Sequence, residues 1–155
     1  MPLTDLIAPE AIIPALRVNG KKQALQELSE RAAEISGLPG REILNAVLQR
    51  ERLGSTGVGD GIAIPHGKLA KCPRIFGVFA RLERAVDFEA LDELPVDLIF
   101  LLIAPESAGA DHLKALAMIA RVLRNSALAA QLRATRDASA LYSVLTQTPA
   151  SNAAA

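Results

Sequence analysis

The sequence has no tryptophan, one tyrosine and four phenylalanines, so aromatic side chains make up only 3% of it. That scarcity argues against base-stacking platforms for nucleic acid. Neither charge is in excess: 17 lysines and arginines balance 17 aspartates and glutamates, and no overall field draws the chain to nucleic acid or to a membrane surface. The single cysteine, Cys72, cannot form an internal disulfide, and nothing around it suggests an activated thiolate. A reducing cytoplasm is therefore the expected compartment. The longest apolar run, Leu98 to Ala104, falls far short of the ~20 residues that span a bilayer. The opening MPLTDLIAPEAIIP has no basic and then apolar targeting segment.

Several cofactor motifs are missing as well. In GSTGVGDG, Gly54 and Gly59 have the separation of a phosphate-binding loop, but Asp60 and Gly61 stand where it needs lysine and a hydroxyl. The dinucleotide pattern fails because Gly57-x-Gly59-x-x ends on Ile62. There is no HExxH and no cysteine pair, and the only two histidines, His66 and His112, lie far apart. No cofactor and no metal are expected. The glycines read instead as punctuation that brings the chain into the strand before His66.

What is present fits one domain with a real core, since half of the 155 residues are apolar. Helical spacing of Ala24, Leu25, Leu28, Ala32 and Ile35 predicts a helix from Lys21 to about Ile35, ended by Gly37 and Pro39. A second helix runs from about Arg41 to Arg52, with Ile43, Leu44, Val47 and Leu48 on one face and Gly54 as a stop. After a flexible loop come strands at Ile62 to Ile64, Ile75 to Leu82, Ala85 to Phe88 and Val96 to Ile103. The acidic residues Glu83, Asp87, Glu89, Asp92 and Glu93 are read as solvated loop surface. A helix from about Asp111 to Arg124 should turn Leu113, Leu116, Ala117, Ala120 and Leu123 inward, with shorter helices at Ala127 to Ala134 and Ala138 to Leu145. This order gives an α/β or α+β fold in a single domain over residues 1–147, with 148–155 as a disordered tail.

His66 is the residue that asks for a function. A lone histidine is commonly a structural or surface group, and that reading holds more strongly for His112. His66, however, follows the apolar strand Ile62-Ala63-Ile64 and stands between Pro65 and Gly67. The strand anchors the imidazole, Pro65 fixes the backbone, and Gly67 is expected to leave one side of the ring open. A ring that titrates near ~6.5 keeps a neutral nitrogen available as a nucleophile.

The stretch RERLGSTGVGDGIAIPHGKL resembles the phosphorylation-site signature of type-2 enzyme IIA domains of the bacterial phosphoenolpyruvate:sugar phosphotransferase system. GSTGVGDGIAIPHGKL is most similar to the nitrogen-regulatory branch, and LTDLIAPEAI, DFEALDELPVDLIFLLIAP and HLKALAMIARVL extend the resemblance from Leu3 to Leu145. The resemblance implies a mannitol-type fold, with a mixed parallel and antiparallel sheet flanked by helices. It implies that His66 accepts a phosphoryl group from the phosphohistidine of an HPr-like carrier of the nitrogen type. It places a stabilising arginine on Arg50, sixteen residues upstream, and a hydrogen-bonding histidine on His112; Arg52 is a nearby competitor for the arginine role. Neither ring nitrogen of His66 is singled out as the acceptor. The branch implies a phosphorylation-dependent regulator of nitrogen and carbon metabolism and potassium homeostasis, with potassium transport or sensor proteins among its targets. The alternative is a fructose- or mannitol-type IIA that hands phosphate to a IIB cysteine for sugar uptake. A hydrolase using His66 and His112 is a third, weaker reading.

Overall fold

In a computed structural model, residues 2–147 are described; the expected tail, 148–155, lies outside them. The most apolar segment of the chain forms the centre. Strand β6 (Val96–Pro105) is buried almost throughout, as a strand covered on both faces must be. Strand β5 (Phe76–Val86) runs antiparallel beside it and carries β1 (Ile12–Leu16), in parallel, on its outer edge. The sequence pattern breaks β5 in two at its charged residues and gives no sign of β1. The strand in fact runs on through Glu83 and Arg84; just before them Arg81 is buried and paired, its Nε donating to the Arg133 carbonyl and its Nη1 to that of Pro14. The register with β6 shifts between Arg81 and Val86, which is where the sequence signal breaks.

The other edge of β6 is one lane made of two pieces. β3 (Ile62–Ala63) pairs in parallel with Leu98 and Ile99, and β4 (His66–Leu69) pairs in parallel with Leu102 to Pro105. Between them Pro65 has no N–H to give the ladder; its carbonyl still accepts the Leu102 N–H at 2.9 Å. β2 (Gly57–Gly59) folds back antiparallel on β3. The glycine stretch, expected to be a flexible loop, is thus a hairpin. Asp60 and Gly61 both have positive φ (59° and 80°), as a two-residue Asp-Gly turn requires. The order is β1-β5-β6-β3-β2 with β4 also on β6, so the expected mixed sheet is present.

Helices α1 (Lys21–Ser36) and α2 (Gly40–Arg52) pack on each other, α1 against β5 and α2 against β4. Gly37 ends α1 in the left-handed conformation. α3 (Ala110–Leu123) packs on β6, α4 (Ser126–Ala134) on α3, and α5 (Ala138–Leu145) on β1. Asn125 and Asp137 cap the last two helices through their side chains. On α3 Leu123 is buried as expected and Leu116 and Ala120 pack partly buried on the core, but Leu113 and Ala117 face out. His112, Ala115, Ile119 and Leu123 are buried, while Leu113 is 67% exposed. The helical period is the expected one, but its phase is shifted, because the histidine and not the leucine beside it takes the buried position. Among the described residues, no helix is long and apolar enough to cross a membrane.

Candidate functional site

His66 opens β4 instead of following the end of a strand. Its backbone is therefore fixed by pairing with Leu102 at the middle of the sheet. Gly67 does not open a face of the ring. It lets α2 come close: a Cβ there would lie 3.0 Å from the Ala46 Cβ and 3.2 Å from the Ala46 backbone. α2 consequently lies directly on β4, and its last turn overhangs the histidine.

Nδ1 of His66 lies 2.9 Å from the Ile64 carbonyl oxygen. A carbonyl can only accept, so Nδ1 carries the proton and Nε2 carries the free lone pair. Burial lowers the His66 pKa from its ordinary value, and the Arg50 charge pushes the same way, against the opposing Ile64 hydrogen bond. The ring is neutral at neutral pH. The ring of His112 is tilted by 58° to that of His66, with centroids 5.4 Å apart. His112 is only 5% exposed, and its Nδ1 has no hydrogen-bond partner among the described residues. Burial first, then the neighbouring His66 and Lys68, lower its pKa to about 4.

These rings face an open cleft of about 450 Å³ lined by Gln49 and Arg50 of α2 and Leu53 just after it, by His66 to Lys68, and by His112, Leu113 and Leu116 of α3. Arg50 is held over it by donating Nη1 to the Gly54 carbonyl at 2.8 Å. The competitor Arg52 is exposed and is not part of the lining. The structure thus brings together His66, His112 and Arg50 and leaves Arg52 out. Sequence reasoning missed Lys68, although strand alternation puts positions 66 and 68 on one side; the signal is lost when β4 itself goes unrecognised. It also left Leu53 unnamed and turned Leu113 inward, whereas both form the exposed apolar rim, at 84% and 67%. Two neutral imidazoles flanked by a guanidinium and an ammonium suit a group that is nucleophilic first and strongly anionic afterwards. No cluster of three or more His, Cys, Asp or Glu side chains able to hold a metal occurs among the described residues.

A family model described as "Phosphoenolpyruvate-dependent sugar phosphotransferase system, EIIA 2" matches residues 5–148. The chain belongs to this family. Within it, the chain is 64% identical over 153 residues to the nitrogen regulatory protein of Bradyrhizobium diazoefficiens, covering 99% of this chain and all of that one. The crystal structure of nitrogen regulatory protein IIA-Ntr from Neisseria meningitidis superposes with a TM-score of 0.87 at 32% identity, over 92% of this chain and 97% of that one. IIA mannitol from Escherichia coli, at 22% identity and a TM-score of 0.74 over 89% and 97% of the two chains, shares the fold. The mannitol-type architecture and the likeness to the nitrogen-regulatory branch both hold. IIA domains of this family are components of a phosphotransferase system.

Proposed function

We propose that this IIA protein is a phosphorylation-dependent regulator whose His66 accepts a phosphoryl group at Nε2 from the phosphohistidine of an HPr-like carrier. The observation that carries the reading is the hydrogen bond from Nδ1 to the Ile64 carbonyl, which leaves Nε2 as the nitrogen with a lone pair. In the transfer, the Nε2 lone pair forms the new N–P bond as the carrier's N–P bond breaks, and the carrier's nitrogen keeps that electron pair. The work left to the protein is positioning and charge stabilisation. Arg50, one N–H of which is held by Gly54, has others to offer the phosphoryl oxygens. Lys68 adds a second positive charge, and a ring nitrogen of His112 supplies a further hydrogen bond. Leu53 and Leu113 give the carrier an apolar surface to dock against.

Regulation follows from charge. The added phosphoryl group brings about −1.5 to −2 charges to an apolar-rimmed cleft, enough to separate partners that fit one state from those that fit the other. The kinship with nitrogen regulatory proteins favours this role over sugar uptake, and the targets we infer for it lie in nitrogen and carbon balance or potassium transport.

Incubation with phosphoenolpyruvate, enzyme I and either a nitrogen-type or a sugar-type HPr tests the reading. Acid-labile phosphate should appear with the nitrogen-type carrier and vanish in His66→Ala. Label that persists in His66→Ala would sink the assignment. Preference for the sugar-type carrier, with onward transfer to a IIB cysteine, would establish the sugar-uptake alternative.

A further inference from the structure

Behind the cleft lies a layer of polar contacts that phosphoryl transfer itself does not use. Glu51 follows Arg50 on α2, yet its side chain is only 6% exposed. A buried carboxylate is costly unless its lone pairs are met, and here three donors meet it. Lys21 Nζ, from the first turn of α1, lies 2.8 Å from Oε2. The Thr56 backbone N–H donates to the same oxygen at 3.2 Å, and the Thr56 hydroxyl donates to Oε1. Lys21 is itself seated 5.0 Å above the centre of the Phe88 ring and 3.5 Å from the Glu89 carboxylate.

Thr56 is buried, and its carbonyl accepts the Ile64 N–H at 3.0 Å. The Ile64 carbonyl in turn accepts the Nδ1–H of His66. An unbroken line of contacts therefore runs from the Lys21 ammonium to the imidazole. It arrives at the point where the β3–β4 lane is interrupted and Pro65 supplies no N–H. Ile64 is anchored there through its own N–H, to Thr56.

We propose that Glu51 and Thr56 are positioning residues for His66. By fixing the Thr56 peptide they aim the Ile64 carbonyl at Nδ1 and hold the ring in the tautomer whose lone pair is on Nε2. If the carbonyl drifts, the proton redistributes between the two nitrogens, and the fraction of rings able to attack through Nε2 falls. The tautomer control stands on this geometry alone; its effect on rate rests on the phosphoacceptor reading given above.

The test is ¹⁵N NMR of the histidine rings in the full chain, above the pH at which either histidine titrates, together with phosphoryl transfer from the nitrogen-type carrier. Wild type should show His66 held as the Nδ1–H form. Thr56→Val, which keeps the backbone N–H and loses the hydroxyl, and Glu51→Gln should show mixed tautomers. Their kcat should fall roughly tenfold, the scale of one lost hydrogen bond, with KM for the carrier unchanged because the cleft rim is untouched. Thr56→Ser should restore both. Should the two variants not fold, Lys21→Met, at a side chain that is 18% exposed, carries the same expectation in the same direction. A wild-type tautomer ratio in the folded variants overturns the proposal, as does a rise in KM at unchanged kcat. A tautomer that shifts in a protein that takes no phosphate would leave the positioning role standing and retire the phosphoacceptor reading.

Discussion

Arg50 commits one of its five N–H donors to the Gly54 carbonyl and keeps the rest over the cleft. A lysine at this position would keep the charge but lose the fork, so Arg50→Lys should slow phosphoryl transfer by roughly 10- to 100-fold. Single-turnover transfer from the carrier, at unchanged melting temperature, measures this. Arg50 and His112 are legible from sequence alone because they sit in long stretches that resemble the family. Their local chemistry is not, since the Nδ1 hydrogen bond depends on a backbone carbonyl whose direction no side-chain pattern encodes. Gly67 shows the same limit. Its place beside His66 is plain in the sequence, but whether it clears space for the ring or for a helix depends on where α2 lies. Gly67→Ala should destabilise the protein by about 1–3 kcal/mol, because the methyl meets the Ala46 Cβ at 3.0 Å. Urea denaturation gives the value, and an unchanged midpoint would contradict the packing.

At the scale of elements, the long periodic helices α1 and α2 and the apolar strand β6 are legible because one rule dominates each of them. β1, β2 and β4 are not. They are short, and what makes them strands is pairing with distant residues rather than their own composition. The Asp60–Gly61 dipeptide is a turn signal, but the many glycines around it mask the hairpin as loop. In α3 hydrophobicity ranks Leu113 above His112 for burial, and that ranking puts the helix in the wrong phase. The proposed docking role of the exposed leucine can be tested. Leu113→Ser and Leu53→Ser should leave stability within about 0.5 kcal/mol of wild type while raising the KM for the carrier, as steady-state transfer assays would show. The hairpin is the opposite case. Gly61 has φ of 80°, and a Cβ there would lie 2.6 Å from the Arg133 guanidinium, which also bonds Asp97 and the Asp60 carbonyl. Gly61→Ala should cost about 1–2 kcal/mol from backbone strain alone, read as a lower denaturation midpoint.

At the scale of the whole molecule, the two histidines tie stability to pH. Both have folded-state pKa values below the ordinary 6.5, that of His112 at about 4. Between those values the unfolded chain binds more protons, so acid favours unfolding. The stabilisation is complete above about pH 6.5 and is lost as pH falls towards 4. His112→Phe should lose less stability than wild type between about pH 7.5 and about pH 4.5 in urea titrations; an equal loss would show that His112 does not carry the linkage. The interrupted lane has a further consequence. β3 and β4 each lean on β6, and the Pro65 carbonyl holds the Leu102 amide in its midst. His66 is paired directly to the buried central strand, and the Leu102 amide held by Pro65 should exchange with solvent only through global unfolding. On the function proposed above, the signal is written by adding charge at a site anchored to the sheet rather than by moving backbone.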